Sequence, residues 1–216
     1  MPAVGILILA AGGSRRLGAP KQLLRDSEGQ SLIRRASLTA LASICRPITV
    51  VLGASADVVA EEMSDLLLTT VHNPDWETGM ASSLRTGLAA ITADISLDAV
   101  IVMLCDQPGV SPELLDSLVV AYQNSGQTLV ACEYNDILGV PALFGRELFT
   151  ELNGLTGDEG ARRIIKAYSG PIARVPFPEG QFDIDTAADL EALRIEAPQR
   201  KNASKRRHKI VELDSV

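Results

Sequence analysis

The feature that most constrains this chain is the run Val4-Gly5-Ile6-Leu7-Ile8-Leu9, which ends abruptly in Ala10-Ala11-Gly12-Gly13. A continuous apolar run without polar alternation suits a strand buried on both faces, as in a parallel sheet. In open α/β sheets ligands bind at the carboxyl ends of the strands, where these small residues fall. The stretch 10–29 is long for a connection inside one domain, and loops of that length are usually functional.

The rest of the chain repeats the theme. Helical spacing over Ser31–Ile44 is followed by strands at Ile48–Leu52 and Leu66–Val71, with a short helix Asp57–Met63 between them. A helix over Ala81–Ile91 precedes a fourth buried strand, Ala99–Leu104. Ser111-Pro112-Glu113 then supplies a hydroxyl cap, a first-turn proline and an acid, and so starts a helix running to about Tyr122. Strands at Leu129–Cys132, Val140–Phe144 and Ile172–Val175 alternate with helices at Glu147–Leu152 and Gly160–Tyr168, and a helix Ala187–Leu193 closes the fold. This alternation predicts an α/β protein: a three-layer αβα, Rossmann-like open sheet, mostly parallel. Residues 1–197 are expected to form one domain. From Pro198 the apolar period stops, and 198–216 are expected to be a basic, mobile tail.

Charge divides the chain unevenly. The formal net charge of −7 combines +5 in residues 1–50, −16 in 51–197 and +4 in the tail. An acidic body argues against nucleic acid as the main partner, while the basic first fifth suits a small anionic ligand. No apolar run approaches the ~18–20 residues that span a bilayer, and no basic residue precedes the first strand, so neither a membrane segment nor a signal peptide is expected. Cys45, Cys105 and Cys132 are widely spaced, and the chain has only two histidines. A disulfide framework or a Cys/His zinc site is therefore not expected, and the reading is cytoplasmic.

The first loop runs Ala10-Ala11-Gly12-Gly13-Ser14-Arg15-Arg16-Leu17-Gly18-Ala19-Pro20-Lys21. It fails the dinucleotide pattern GxGxxG and, with Ala19-Pro20 interposed and Gln22 after Lys21, also the P-loop pattern. Its chemistry still suits phosphate: small residues let backbone N–H groups approach oxygens, and Arg16 and Lys21 add two charges. Asp106, at the end of the fourth strand in Asp106-Gln107-Pro108, faces the same crevice. A carboxylate there could hold Mg²⁺ together with phosphate oxygens, or could cap the next helix. Asp183 and Asp185 alternate in an extended segment, and Asp185 or Thr186 could cap the closing helix. In Asn73-Pro74-Asp75-Trp76-Glu77-Thr78-Gly79-Met80, Gly79 permits close approach, and the next helix start offers N–H groups with the hydroxyls of Ser82 and Ser83. Trp76, the chain's single tryptophan, could serve a core or a lid.

Leu9-Ala10-Ala11-Gly12-x-Ser14-x-Arg16-x-Gly18-x-Pro20-Lys21 resembles the signature loop of nucleotidyltransferases with the nucleotide-diphospho-sugar transferase fold. Within them the chain resembles the MobA-like NTP transferase family, and most its molybdenum cofactor cytidylyltransferase branch, over residues 4 to about 194. Leu17 stands where many members carry Met. The resemblance implies that Leu9, Ala10, Ala11, Gly12, Gly13, Ser14, Arg16 and Lys21 wrap the triphosphate, with Arg16 and Lys21 catalytic as pyrophosphate leaves. It implies that Asn73, Gly79, Ser82 and Ser83 lie against base and ribose, and that Asp106 and Asp185 hold the metal. Two further blocks, around Gly139-Val140-Pro141 and Gly157-Asp158-Glu159-Gly160, lie near the acceptor in that branch, giving Gly139, Pro141, Asp158 and Gly160 as acceptor residues.

The expected activity is transfer of CMP from CTP to the phosphate of molybdopterin, with Mg²⁺ as cofactor and release of pyrophosphate. A client molybdoenzyme or chaperone is the transient partner the resemblance implies. Two marks favour cytidylyl over guanylyl transfer: Leu-Ala-Ala-Gly where the guanylyl branch has Leu-Ala-Gly-Gly, and Pro20-Lys21 where it tends to have Asp-Lys. A guanylyl- or other NTP transferase with another phosphorylated acceptor is the alternative reading. An escort protein that binds nucleotide or cofactor without turnover is another.

Overall fold

The computed structural model describes residues 1–14 and 20–181. Arg16, Asp183, Asp185, the expected helix 187–193 and the tail 198–216 lie outside them.

The opening run forms β1 (Val4–Ala10), buried along its whole length. Two elements come next, α1 (Leu32–Ala42) and β2 (Ile48–Leu52). The Ser31 hydroxyl caps α1 by accepting from the backbone N–H of Arg34. They are succeeded by α2 (Ala56–Glu61), β3 (Thr69–His72), α3 (Met80–Ile91) and β4 (Ala99–Leu104). The chain continues through α4 (Pro112–Ser125), β5 (Leu129–Tyr134), β6 (Ile137–Gly145), α5 (Phe149–Asn153), α6 (Ala161–Ala167) and β7 (Ile172–Pro176). The α4 start is the one read from its sequence: Ser111 Oγ accepts from Leu114 N–H, with Pro112 in the first turn.

Among the described residues the strands form one sheet in the order β3-β2-β1-β4-β6-β5-β7. Pairing is parallel except at β6, which runs antiparallel to both β4 and β5. The chain steps from β1 outward to β2 and β3, then returns across β1 to begin β4. That reversal makes the cleft between the ends of β1 and β4 the switch point where an open sheet binds its ligand.

Alternation along the buried strands divides the core into two layers. Ile6, Ile8, Ile101 and Met103 pack with Ile33, Ala40, Leu115 and Leu118 on one side. Leu7, Leu9, Val100 and Val102 pack with Leu84, Leu88, Leu152 and Ile165 on the other. Successive side chains of a strand point to opposite faces, so each central strand serves both layers. Helix α3 comes close because Gly87 has no side chain: a Cβ there would fall onto the methyl groups of Leu7 and Val51.

The clearest departures from the expected boundaries are in the strands. The third strand starts at Thr69, where pairing with Thr49 begins. Leu66 and Leu68 instead tuck under the sheet from the preceding turns. The strands β5 and β6 extend into a tight hairpin around Asn135 and Asp136, both at positive φ, a conformation Asn and Asp tolerate better than most residues.

Candidate active site

The cavity at the switch point encloses about 580 Å³, within the usual range for a small-molecule site. Four segments build it: the end of β1 and its loop, the end of β4, the turn entering α3, and the loop before α6.

From β1 come Leu9, Ala10, Ala11, Gly12, Gly13 and Ser14, with Lys21 and Gln22 from the short helical turn Lys21–Leu23. The carbonyls of this loop are held on the protein side. Ala11 O accepts from Ala54 N–H at 3.0 Å, and the Gln22 amide donates to Ala10 O at 2.7 Å and Gly12 O at 2.8 Å. A trans peptide sets its N–H opposite its C=O, so the Gly12 and Gly13 N–H groups turn the other way. Neither has a protein acceptor among the described residues. A Cβ on Gly12 would meet nothing within 4 Å, while one on Gly13 would strike the indole ring of Trp76. The Ser14 hydroxyl accepts from Lys21 N–H at 2.8 Å, tying together the ends of the segment that carries Arg16.

The end of β4 contributes Leu104, Cys105 and Asp106. Lys21 Nζ lies 2.9 Å from Asp106 Oδ2, both side chains being largely shielded from water. The other carboxylate oxygen, Oδ1, is buried without a hydrogen-bond partner. The neighbouring Cys105 is no nucleophile: burial, reinforced by the charge of Asp106, pushes its thiol far above the ordinary range.

The third wall comprises Trp76, Glu77, Gly79, Met80 and Ser83, joined by Asp158 from the loop before α6. Gly79 sits at φ +113°, and a Cβ there would fall onto the backbone of Gly157. The close approach that this glycine permits is therefore made by the Gly157 loop. Ala81 N–H donates to Gly157 O at 3.1 Å, locking the two segments together.

The expected residues separate into four groups. The structure brings Leu9 to Ser14, Lys21, Gly79, Ser83, Asp106 and Asp158 to one cavity. Asn73 and Ser82, expected against base and ribose, stand behind its wall. The buried Asn73 amide donates to Ser82 Oγ at 2.8 Å and Ser83 Oγ at 3.0 Å, and Ser82 Oγ bonds back to Gly79 O. Their polarity is consumed in shaping the turn, and the free N–H groups expected at the start of α3 are reduced by the Gly157 contact. Gly139 and Pro141, expected near the acceptor, are buried in β6, and Gly160 packs on Met80; none of the three lines the cavity. Arg16 and Asp185 lie outside the described residues. Sequence reasoning overlooks Gln22, Glu77 and Met80. Gln22 has one signal, its place directly after Lys21 at the end of the phosphate-type loop.

A divalent cation can be tested against these donors. Among the described residues no three His, Cys, Asp or Glu side chains cluster as a ready-made cage. A single carboxylate with a buried, unpartnered oxygen is the donor set that Mg²⁺ or Mn²⁺ takes when phosphate oxygens and water supply the remainder. The site fits such an ion.

Comparison with known proteins agrees with the geometry. The family model described as MobA-like NTP transferase domain matches residues 6–172. Nicotine blue oxidoreductase of Paenarthrobacter nicotinovorans is 34% identical over 123 residues, spanning 57% of this chain and 59% of that protein, less than two thirds of its length. A probable molybdenum cofactor guanylyltransferase of Mycobacterium avium is 26% identical over 192 residues, 87% of this chain and 93% of the relative. Among solved structures, the homologue of Mycobacterium tuberculosis Rv0371c from Mycobacterium sp. strain JC1 superposes with a TM-score of 0.80 at 32% identity, covering 91% of this chain and 98% of that one. Rv0371c of M. tuberculosis H37Rv in complex with manganese gives 0.75 at 26% identity, covering 90% and 100%.

Proposed function

The chain belongs to the MobA-like NTP transferase domain family and is a nucleotidyltransferase, and from that premise we propose that it transfers CMP from CTP to the phosphate of molybdopterin. In this reaction an acceptor phosphate oxygen forms a bond to the α-phosphorus of CTP, the bond from that phosphorus to the bridging oxygen breaks, and pyrophosphate leaves. A phosphate monoester dianion is already nucleophilic, so no general base is required. That agrees with the absence of histidine from the cavity among the described residues.

The observation that carries the reading is the Lys21–Asp106 pair at the switch point, beside a loop whose Gly12 and Gly13 N–H groups turn outward. Lys21 and these N–H groups neutralise and orient the triphosphate, which is most of what phosphoryl-group chemistry needs from a protein. In the protein alone, Lys21 and Asp106 pair with each other. Asp106, and Asp185 by the resemblance, would hold a divalent cation, which when bound supplies charge neutralisation on the phosphate oxygens. The manganese complex of the Rv0371c relative supports a divalent ion, with Mg²⁺ our proposal. Asp158, beside Gly79 and Met80 on the cavity wall, is the acceptor-side residue.

CTP is favoured by Ala11. Its side chain is buried at the cavity wall against Gly53 and occupies room that the glycine of the guanylyl branch would leave. The name of the Mycobacterium avium relative favours GTP as the second reading. Both are separated by pyrophosphate release measured with CTP, GTP and UTP in the presence of Mg²⁺ and molybdopterin, for the wild type and Ala11→Gly. CTP should dominate in the wild type, and Ala11→Gly should shift kcat/KM toward GTP. A wild-type preference for GTP would overturn the cytidylyl assignment and leave the chemistry standing. Tight CTP binding without pyrophosphate release would favour an escort role.

A further inference from the structure

We propose that Gln22 is a positioning residue for the reaction, a two-pronged clamp that sets the polyphosphate-binding face of the first loop. The residue is only 3% exposed, and its Nε2 donates to two loop carbonyls, Ala10 O and Gly12 O. The amide orientation follows from chemistry: only the NH₂ end can face two carbonyl oxygens, since the reverse would set three acceptors together. In that orientation Oε1 is left buried without a partner. A residue serving stability alone would satisfy both ends of its amide, because an unpaired buried acceptor is a cost. The side chain thus spends its hydrogen bonds on the shape of the loop.

The clamp acts through the peptide group. Fixing Gly12 O on the Gln22 side turns the Gly13 N–H to the opposite side, while Ala54 N–H does the same for Gly12 N–H by holding Ala11 O. Two adjacent N–H groups without protein acceptors among the described residues form an anion-binding concavity, and Gly12 and Gly13 have no side chains that could otherwise hold it in shape. Without Gln22 the Gly12–Gly13 peptide can rotate, and it then presents a carbonyl where a phosphate oxygen must sit. Gln22 therefore touches no reacting atom. It acts on the phosphates through the Gly13 N–H.

This assignment rests on the nucleotidyltransferase reading, and the test separates the two. Trp76, the chain's single tryptophan, lies against Gly13, so its fluorescence reports ligands at the loop. Titrations of pyrophosphate, CTP, GTP and CMP are compared for the wild type, Gln22→Met, which keeps the volume, and Gln22→Glu, which sets a carboxylate against the two carbonyls. Circular dichroism and Tm verify folding. Pyrophosphate and CTP should bind about tenfold or more weakly in either variant, while CMP affinity stays within about twofold. A merely structural residue would weaken all ligands together. Equal loss for CMP and pyrophosphate, unchanged pyrophosphate binding in a folded variant, or failure of both variants to fold would overturn the clamp. Wild-type protein that binds neither pyrophosphate nor any NTP would instead overturn the nucleotidyltransferase reading on which it rests.

Discussion

At the scale of single residues, Asp106 bears the greatest demand. One of its oxygens meets Lys21 and the other is buried without a partner, an arrangement that costs stability and that the proposed cation would relieve. Asp106→Asn should lower kcat by about 10²–10³-fold, the loss typical when one fixed electrostatic contact to the transition state is removed. Steady-state kinetics with Mg²⁺ varied would check this, and an unchanged kcat would remove Asp106 from the site. Gly79 makes a separate demand, because a side chain there meets both a disfavoured φ and the Gly157 backbone. Gly79→Ala should destabilise the fold by about 2–4 kcal/mol, visible as a lowered Tm. Asp106 is legible from its place at a strand end, and Lys21 from its loop. Asn73 and Ser82 are harder to read, because amides and hydroxyls serve equally well to bond a ligand or to fold a turn. Only their partners tell which, and those partners lie up to ten residues away.

At the scale of elements, buried strands are the easiest to read. Ile48–Leu52 and Ala99–Leu104 form as expected, because short runs rich in Val and Ile between turns suit a sheet interior. Helix α4 is equally legible through Ser111 and Pro112. The third strand is misplaced because Leu66 and Leu68 are apolar for packing, whereas a strand begins only where its partner's backbone does. The hairpin of β5 and β6 escapes the sequence reading although Asn135-Asp136 marks its turn. Surface ion pairs add a pH-dependent element. Hydrogen bonds from Arg34 on α1 hold the Asp65 carboxyl at about 2, below its ordinary 3.8. A depressed carboxylate contributes stability that is complete above the unfolded value and disappears as pH falls toward the folded one. The difference in Tm between wild type and Asp65→Asn should thus be constant near neutrality and shrink from pH 3.8 to about 2. Added salt should also reduce it, since the pair is exposed. A difference that persists at pH 2 would contradict the assignment.

At the scale of the whole molecule, function follows from where the sheet reverses. The crossing from β3 back to β4 leaves one cleft beside β1, and the chain places a small-residue loop, a lysine and an aspartate around it. Among the described residues no helix is long and apolar enough to cross a membrane. The proposed choice of nucleotide rests on small differences, Ala11 and the Pro20-Lys21 pair, in a loop whose phosphate chemistry is shared. The central claim, that this cleft passes a nucleotidyl group to a phosphate, is tested most directly with CTP radiolabelled at its α-phosphorus, incubated with Mg²⁺ and molybdopterin. The label should move to the acceptor as pyrophosphate is released in equal amount. Label that stays in the nucleotide, or appears only as free nucleoside monophosphate, with both CTP and α-labelled GTP would contradict it.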